Sequence, residues 1–581
     1  MRARLVLSLG VVAVLAGCSE SGSESAAPTA SADVSAVSVG AGAIDEAICT
    51  PNDSDGTVTI WHSMGGPAAV DLWAEVERNF EQSHAIELEV VDFGGDRGIV
   101  DKLEVTPRSQ WPDIINVSER NTLTLLDTQQ FLAPAACDES FGDDLLPLVR
   151  ATYSVNGQLA AAPFGVSTPV LVFDAAEFRA AGLDPAEPPL TLADLIDASR
   201  TIAASGASPY GLVLTDACAN MVLDQFNAKR GVSMGTTGNG PDERSVSFDF
   251  VSDESVADLT MLAEAVAAGN VKYIGGSVSN LDDLLELSNT TDDGASMTVH
   301  TSGALGDVIA LLGNFPGVEL GVGPLPGPGP GAMVGGNALW ITSNSDAEQV
   351  GRAWSFVDWV YQPAQLARLA IEAGYVPPTE SAAQDPALLK RWQDYPQLKV
   401  AYEQVLATEV SEASAGSLIG PFNTSSQVMF ETCDKIMASG ADVRTSLQAA
   451  TTAVNDLVAQ YEAQRTGQEV PPPSSAPAQS PVARTVSGSI ECASGAAMVG
   501  VWVEAESGPS QNKGWATFAT TGPATATFQF TLKFGGRYQL HVGCGGTTSQ
   551  WGSTSFTNFV SSSSDFLCHD APPSRGSCDT L

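Results

Sequence analysis

The chain is short of positive charge. Lys and Arg together number 27 against 68 Asp and Glu, a net charge of −41 over 581 residues. A surface this acidic repels a polyanionic backbone, which excludes nucleic acid as a partner. The acidity itself is read as surface solvation rather than as a site for a cationic partner. Histidine is scarce, with five residues, and none in the main body is spaced as a metal ligand. No phosphate-loop motif occurs. Acidic residues are so plentiful that no catalytic carboxylate pair can be singled out. The N-terminal apolar run, residues 5–15, is too short to span a bilayer.

What is present begins with a compartment signal. Arg2 and Arg4 precede that apolar run, and Leu15-Ala16-Gly17-Cys18 follows it. A positive flank, a short apolar core and small residues before the cut describe a signal peptide over residues 1–17. A cysteine directly after Leu-Ala-Gly resembles the bacterial lipobox. That resemblance implies cleavage before Cys18, lipid on its sulfur and new amino group, and an extracytoplasmic chain anchored to the cell membrane. Residues 18–54, rich in Ser, Ala and Gly as far as residue 43, suit a flexible tether.

Eight cysteines remain. Cys49, Cys137, Cys218 and Cys433 fall in the large body, and Cys492, Cys544, Cys568 and Cys578 in the tail. Even counts outside the cytoplasm point to disulfides within each part, with Cys49–Cys137 and Cys218–Cys433 the expected pairing of the body. His541 and His569 lie near tail cysteines, which allows a zinc site, but oxidised pairs are the default in this compartment and no metal or cofactor is expected.

From residue 55 to about 465 strand and helix patterns alternate. "TVTIW" reads as a strand, Pro67 opens a helix, and Val70, Trp73, Val76 and Phe80 mark one helical face. Residues 86–93 alternate as a half-buried strand, and residues 113–117 form a third. Thr191 reads as a helix cap. Val443, Leu447, Ala450, Val454, Leu457 and Tyr461 form a long apolar stripe. This is an α/β pattern, and its length calls for two lobes. Residues 466–484, with "VPPPSSAPAQSP", form a proline-rich linker. Residues 485–581 alternate apolar and polar residues between glycine turns and predict a small all-β sandwich with disulfides. Trp502, Trp515, Trp551 and Tyr538 in that tail suit either a carbohydrate-stacking face or, as the commoner use of such residues, a sandwich core.

In open α/β sheets, ligands bind beyond the carboxyl ends of the strands. Ser63, Met64, Gly65 and Gly66 occupy that place after the first strand, Ser118 and Glu119 after "PDIINV", and Ser302 and Gly303 after "SMTVHT". Gly335, Gly336 and Asn337 precede "ALWIT". Each alone suits a turn. Together they outline a cleft floor of backbone N–H groups, hydroxyls and a carboxylate, fit for a neutral polyhydroxyl ligand.

The segments "VTIWHSMGG", "WPDIINVSE", "LAAAPFGVSTPVLVFDAAEFRAAGLDP", "HTSGALGDV", "GGNALWI" and "AGYVPP", in this order, resemble the family-1 extracellular solute-binding proteins of ABC importers, with "STPVLVFD" and "AGYVPP" closest to the sugar and glycerol-phosphate branch. The resemblance covers most of residues 55–464. It implies a periplasmic-binding-protein-like fold, with lobe one at about 55–166 and 318–376 and lobe two at about 167–317 and 377–465. It also implies ligand trapped between the lobes and passed to membrane permease subunits without chemistry. Carried over by position, it nominates Glu119, Ser167, Ser302, Gly336 and Tyr375 as ligand contacts.

Three departures bear on the ligand. Asp96 stands where that branch tends to have an aromatic. Ala217-Cys218-Ala219-Asn220-Met221 stands where tryptophans are often found. Ser426 takes the place of an expected arginine. With a carboxylate gained and an arginine lost, a neutral sugar or polyol is expected over a phosphoester. An extracellular carbohydrate-active enzyme with a binding module, or a sensor reporting to a membrane receptor, are the alternative readings.

Overall fold

The structure, a computed structural model, describes residues 49–65, 67–215, 222–237, 244–275, 282–287, 294–312, 317–343, 346–468, 470, 484–505, 514–532, 537–546, 551–557, 560, 563–570 and 576–580. Cys18, Gly66 and Cys218 lie outside the described residues.

Two separate sheets carry the main body. The first runs in the order Ile86–Asp92, Gly56–His62, Ile114–Ser118, Gly335–Thr342, Phe131–Leu132, with Ala162–Ser167 also paired to Gly335–Thr342. Its first three strands are parallel, and Gly335–Thr342 runs antiparallel to Ile114–Ser118. Val58, Ile60, Ile114, Ile115 and Val117 are buried, as expected where helices cover both faces of a sheet. The helix Pro67–Glu81 buries Trp73, Val76 and Phe80, whereas Val70, expected on the same face, is exposed.

The chain leaves this sheet at a single residue. Ser167 ends one strand, Pro169 begins the next, and Pro169–Asp174 belongs to the second sheet. That sheet has the order Val271–Tyr273, Leu212–Leu214, Met297–Thr301, Pro169–Asp174, Leu320–Pro324. The return to the first sheet falls between Pro324 and Gly335, later than the expected residue 318, because Leu320–Pro324 pairs with Pro169–Asp174 of the second sheet. Thr191 caps the helix Leu192–Ser205 in a reciprocal capping box with Asp194. Val443, Leu447, Ala450 and Val454 of the helix Val443–Thr466 are buried in the second lobe's core beside Met429 and Ile436.

The C-terminal module is a nine-stranded sheet with its own core, which includes Val486, Val501, Phe528, Tyr538, Leu540 and Phe566. Tyr538 is thus a core residue, whereas Trp515 is 60% exposed, against the expectation that the tail's tryptophans fill the core. Disulfides join Cys49 to Cys137, Cys492 to Cys544 and Cys568 to Cys578, and Cys433 is disulfide-bonded too. The tail cysteines are therefore consumed in pairs and offer no thiolate to zinc. His569 instead meets Asp579 and His541 meets Glu504.

Candidate functional site

The ends of the first lobe's strands converge as the α/β rule requires, and most of what converges there is already hydrogen-bonded. Asp96, at the start of the helix Asp96–Val105, accepts from the Ser63 and Ser118 hydroxyls and from Asn121 Nδ2 at 3.0 Å. Asn337 Nδ2 donates to Ser63 Oγ at 2.8 Å and to Asn116 Oδ1 at 3.0 Å. Ser63, Asp96 and Asn337 thus form one network that fixes three strand ends to each other. Asp96 clamps the loops behind the neighbouring Glu119.

Glu119 is the predicted residue that reaches a cavity. Its Oε2 accepts from the Gly336 backbone N–H at 2.9 Å, and its Oε1 lies 3.2 Å from Arg120 Nε. Gly336 has φ +110°, and a Cβ there would meet the Gly165 carbonyl oxygen at 2.2 Å, so only glycine brings this N–H to the carboxylate. Tyr153 Oη donates to the Gly336 carbonyl at 2.8 Å and holds the same peptide from its other side.

Arg120 escaped the sequence reading, although it adjoins Glu119 at a strand end. Its Nη1 lies 3.8 Å from Asp224 Oδ2, and its guanidinium sits 5.2 Å from the ring centroid of Phe422. Asp224 and Phe422 both belong to helices of the second lobe, Leu223–Lys229 and Phe422–Met437. One cation therefore touches groups of both lobes.

These residues line a cavity of about 140 Å³. Glu119 and Arg120 face it from the first lobe, and Asp224, Phe248, Phe422 and Ser426 from the second. Ser426, noted in the sequence as the place of a missing arginine, is thus on the cavity wall. Burial raises the Glu119 carboxyl above its ordinary pKa, with Arg120 opposing and Asp96 adding to the rise. Burial likewise raises Asp224, again with Arg120 opposing. With both carboxyls ionised, the three charges leave a net negative wall, the rest being aliphatic, aromatic, thioether and hydroxyl groups.

The remaining predicted residues are placed as follows. Met64 is buried in the first lobe's core. Ser167 lies opposite Gly335 in the sheet, at the crossing between lobes. Ser302 is fully buried, and its N–H donates to the Thr168 carbonyl at 2.9 Å. Gly303 lies flat under Tyr375, where a Cβ would come within 2.5 Å of the ring. Ser302, Gly303 and Tyr375 thus meet each other behind the crossing and are not on the cavity wall. The run Gly231-Val232-Ser233-Met234-Gly235 matches a nucleophile elbow by letter. It follows a helix instead of joining a strand to one, and Ser233 Oγ lies 2.9 Å from Ser417 Oγ. Phe422, Phe248 and Asp224 carry no local signal, because only the packing of the two lobes brings Phe422 and Asp224 to Arg120 and Phe248 to the same cavity.

Residues 76–400 match the family of bacterial extracellular solute-binding proteins. The sn-glycerol-3-phosphate-binding periplasmic protein UgpB of Brucella abortus is 26% identical over 412 residues, 69% of this chain and 92% of that one. Its counterpart in Escherichia coli O1:K1 / APEC is 25% identical over 428 residues, 70% and 93% of the two chains. Among solved structures, UgpB from Mycobacterium tuberculosis in complex with glycerophosphocholine superposes with a TM-score of 0.56 at 18% identity, covering 70% of this chain and 98% of that one. The GacH receptor of Streptomyces glaucescens superposes at 0.57 with 18% identity, covering 70% and 100%. The likeness to these structures is one of fold: two α/β lobes, as the two sheets here require.

Proposed function

Because the chain belongs to the bacterial extracellular solute-binding proteins, we propose that it is the capture subunit of an ABC importer for a sugar, polyol or related small carbohydrate. It takes the ligand between its lobes and passes it, unaltered, to permease subunits in the membrane. The observation that carries this reading is Arg120, which meets Glu119 of its own lobe and both Asp224 and Phe422 of the other around one cavity. Hydroxyls of a neutral ligand donate to Glu119 and Asp224 in bonds strengthened by the acceptors' charge. Phe422 and Phe248 take its C–H faces. The lipobox-like Leu15-Ala16-Gly17-Cys18 supports a lipid anchor on Cys18 that keeps the subunit beside its permease.

A second reading is a glycerophosphodiester, favoured by the same Arg120 as a phosphate partner and by relatives named for sn-glycerol 3-phosphate. A phosphate there has to compete with two carboxylates for one guanidinium, so the neutral ligand is preferred. A thermal-shift screen of sugars, polyols and glycerophosphodiesters tests the choice. A ligand at a hundredfold over its Kd adds about 2.7 kcal/mol of stability. A neutral sugar or polyol is expected to give the largest shift and to be recovered chemically intact. A glycerophosphodiester giving the largest shift establishes the second reading instead.

A further inference from the structure

The outer face of the C-terminal module carries a row of rings that no core explains. In the strand Met498–Ala505, Val501 and Val503 point inward and are fully buried, so Trp502 between them points outward. Trp502 pairs with Trp515 on one side and with His541 on the other, and His541 pairs with Phe556 of the next strand. Four rings therefore stand at matched positions on four adjacent strands, a row about 15 Å long at the usual strand spacing. They touch in two pairs: Trp502 and Trp515 centroids are 5.3 Å apart, and His541 and Phe556 4.8 Å apart. The two ends are open, with Trp515 60% and Phe556 43% exposed. Beside the row, Glu504 lies 3.2 Å from His541, and Gln539 pairs with Glu504 on the same face.

We propose that this row is a second carbohydrate-binding site, distinct from the cavity between the lobes, which takes a neutral polysaccharide. A pyranose ring has apolar C–H faces and a hydroxyl rim. Exposed rings in a line take the faces of successive sugars, and Glu504, Gln539 and His541 take hydroxyls along one edge. Charge selects the neutral class. From residue 484 onward the chain has five Lys and Arg against six Asp and Glu, while the chain as a whole carries −41. A polyanion is repelled by the whole molecule, and a polycation is drawn to the acidic lobes, so a partner peculiar to this face has neither charge. The strands bearing Trp502, His541 and Phe556 are each paired on both sides, and the edge strand Gly514–Trp515 has two residues, too short a template for an added peptide strand.

Affinity electrophoresis of the full chain through gels holding a soluble β-glucan, an α-glucan or a galactomannan tests this. Retardation is expected in at least one gel and is expected to persist in 0.5 M NaCl. Trp515→Ala and Phe556→Ala, both at exposed positions, should weaken it at least tenfold. Trp515→Phe should keep most of it, and Val105→Ala, at an exposed apolar position of the first lobe, should leave it unchanged. No retardation in any gel, equal retardation of both alanine variants, or loss in salt overturns the proposal. So does a concentration-dependent dimer in sedimentation that Phe556→Ala abolishes, because the face then packs on a second copy.

Discussion

Arg244 and Asp127 lie on different lobes and are joined through both guanidinium Nη atoms. Asp127 belongs to the helix Thr122–Thr128, which follows the first lobe's central strand, and Arg244 leads into a segment packed on the second lobe's core. Arg244 Nη1 lies 3.0 Å from Asp127 Oδ2, and its Nη2 meets Oδ1. Nη1 also donates to Glu462 Oε1 at 2.8 Å, and Tyr461 Oη donates to Asp127 at 2.6 Å. The Arg244 side chain is 2% exposed. Breaking such a buried pair costs roughly 3–5 kcal/mol when a charge is left without compensation; Glu462 compensates part of it here. Asp127→Asn should therefore speed ligand release severalfold by loosening this contact between the lobes. Glu462→Gln, which breaks a contact within one lobe, should lower stability and leave the release rate nearly unchanged. Stopped-flow release with both variants checks this. Equal effects on release show that the pair does not act between lobes.

Gly336 should tolerate no side chain. Its φ of +110° and the 2.2 Å approach of a Cβ to the Gly165 carbonyl both oppose alanine. Gly336→Ala is expected to cost about 1–3 kcal/mol in strain and to displace the N–H that holds Glu119. Ligand affinity should fall more than in Ser302→Ala, which lies off the cavity wall. Denaturant melts paired with titrations measure both effects.

The cavity carboxyls should make the ligand-free protein more stable in mild acid. Burial raises both Glu119 and Asp224 above their ordinary pKa, Arg120 only partly opposing. A carboxyl raised by folding contributes stability that is full below its unfolded pKa and is lost as pH rises through the folded one. Glu119→Gln should then be at least as stable as the parent at pH 7 without ligand, with the difference shrinking toward pH 4. Urea midpoints at both pH values test the sign. A variant clearly less stable at pH 7 shows that the Arg120 pair outweighs desolvation.

The parts legible in the sequence were those written locally. Strand ends, the Thr191 cap and the stripe from Val443 to Val454 follow from period and capping chemistry alone. Ser63, Asp96 and Asn337 come together at the strand ends, and a sequence does not show that they hydrogen-bond within one network while Glu119 faces the cavity. Arg120 follows Glu119 at a strand end, but no motif or spacing in the sequence marks it. Asp224 and Phe422, some 100 and 300 residues away, become neighbours only through the packing of the two lobes. The module's outer rings were legible in principle. In "VWVEA" and "QLHVG" the flanking apolar residues claim one face, so period two sends Trp502 and His541 to the other.

Calorimetric titration of the parent and of Glu119→Gln with a neutral sugar or polyol and with its phosphorylated counterpart tests the central claim most directly. Binding of one ligand per chain is expected, with the neutral form tighter. Glu119→Gln should weaken it by about tenfold or more, since a hydrogen bond to an ionised acceptor contributes roughly 1.5–3 kcal/mol. Tighter binding of the phosphorylated form that is indifferent to Glu119→Gln contradicts the assignment.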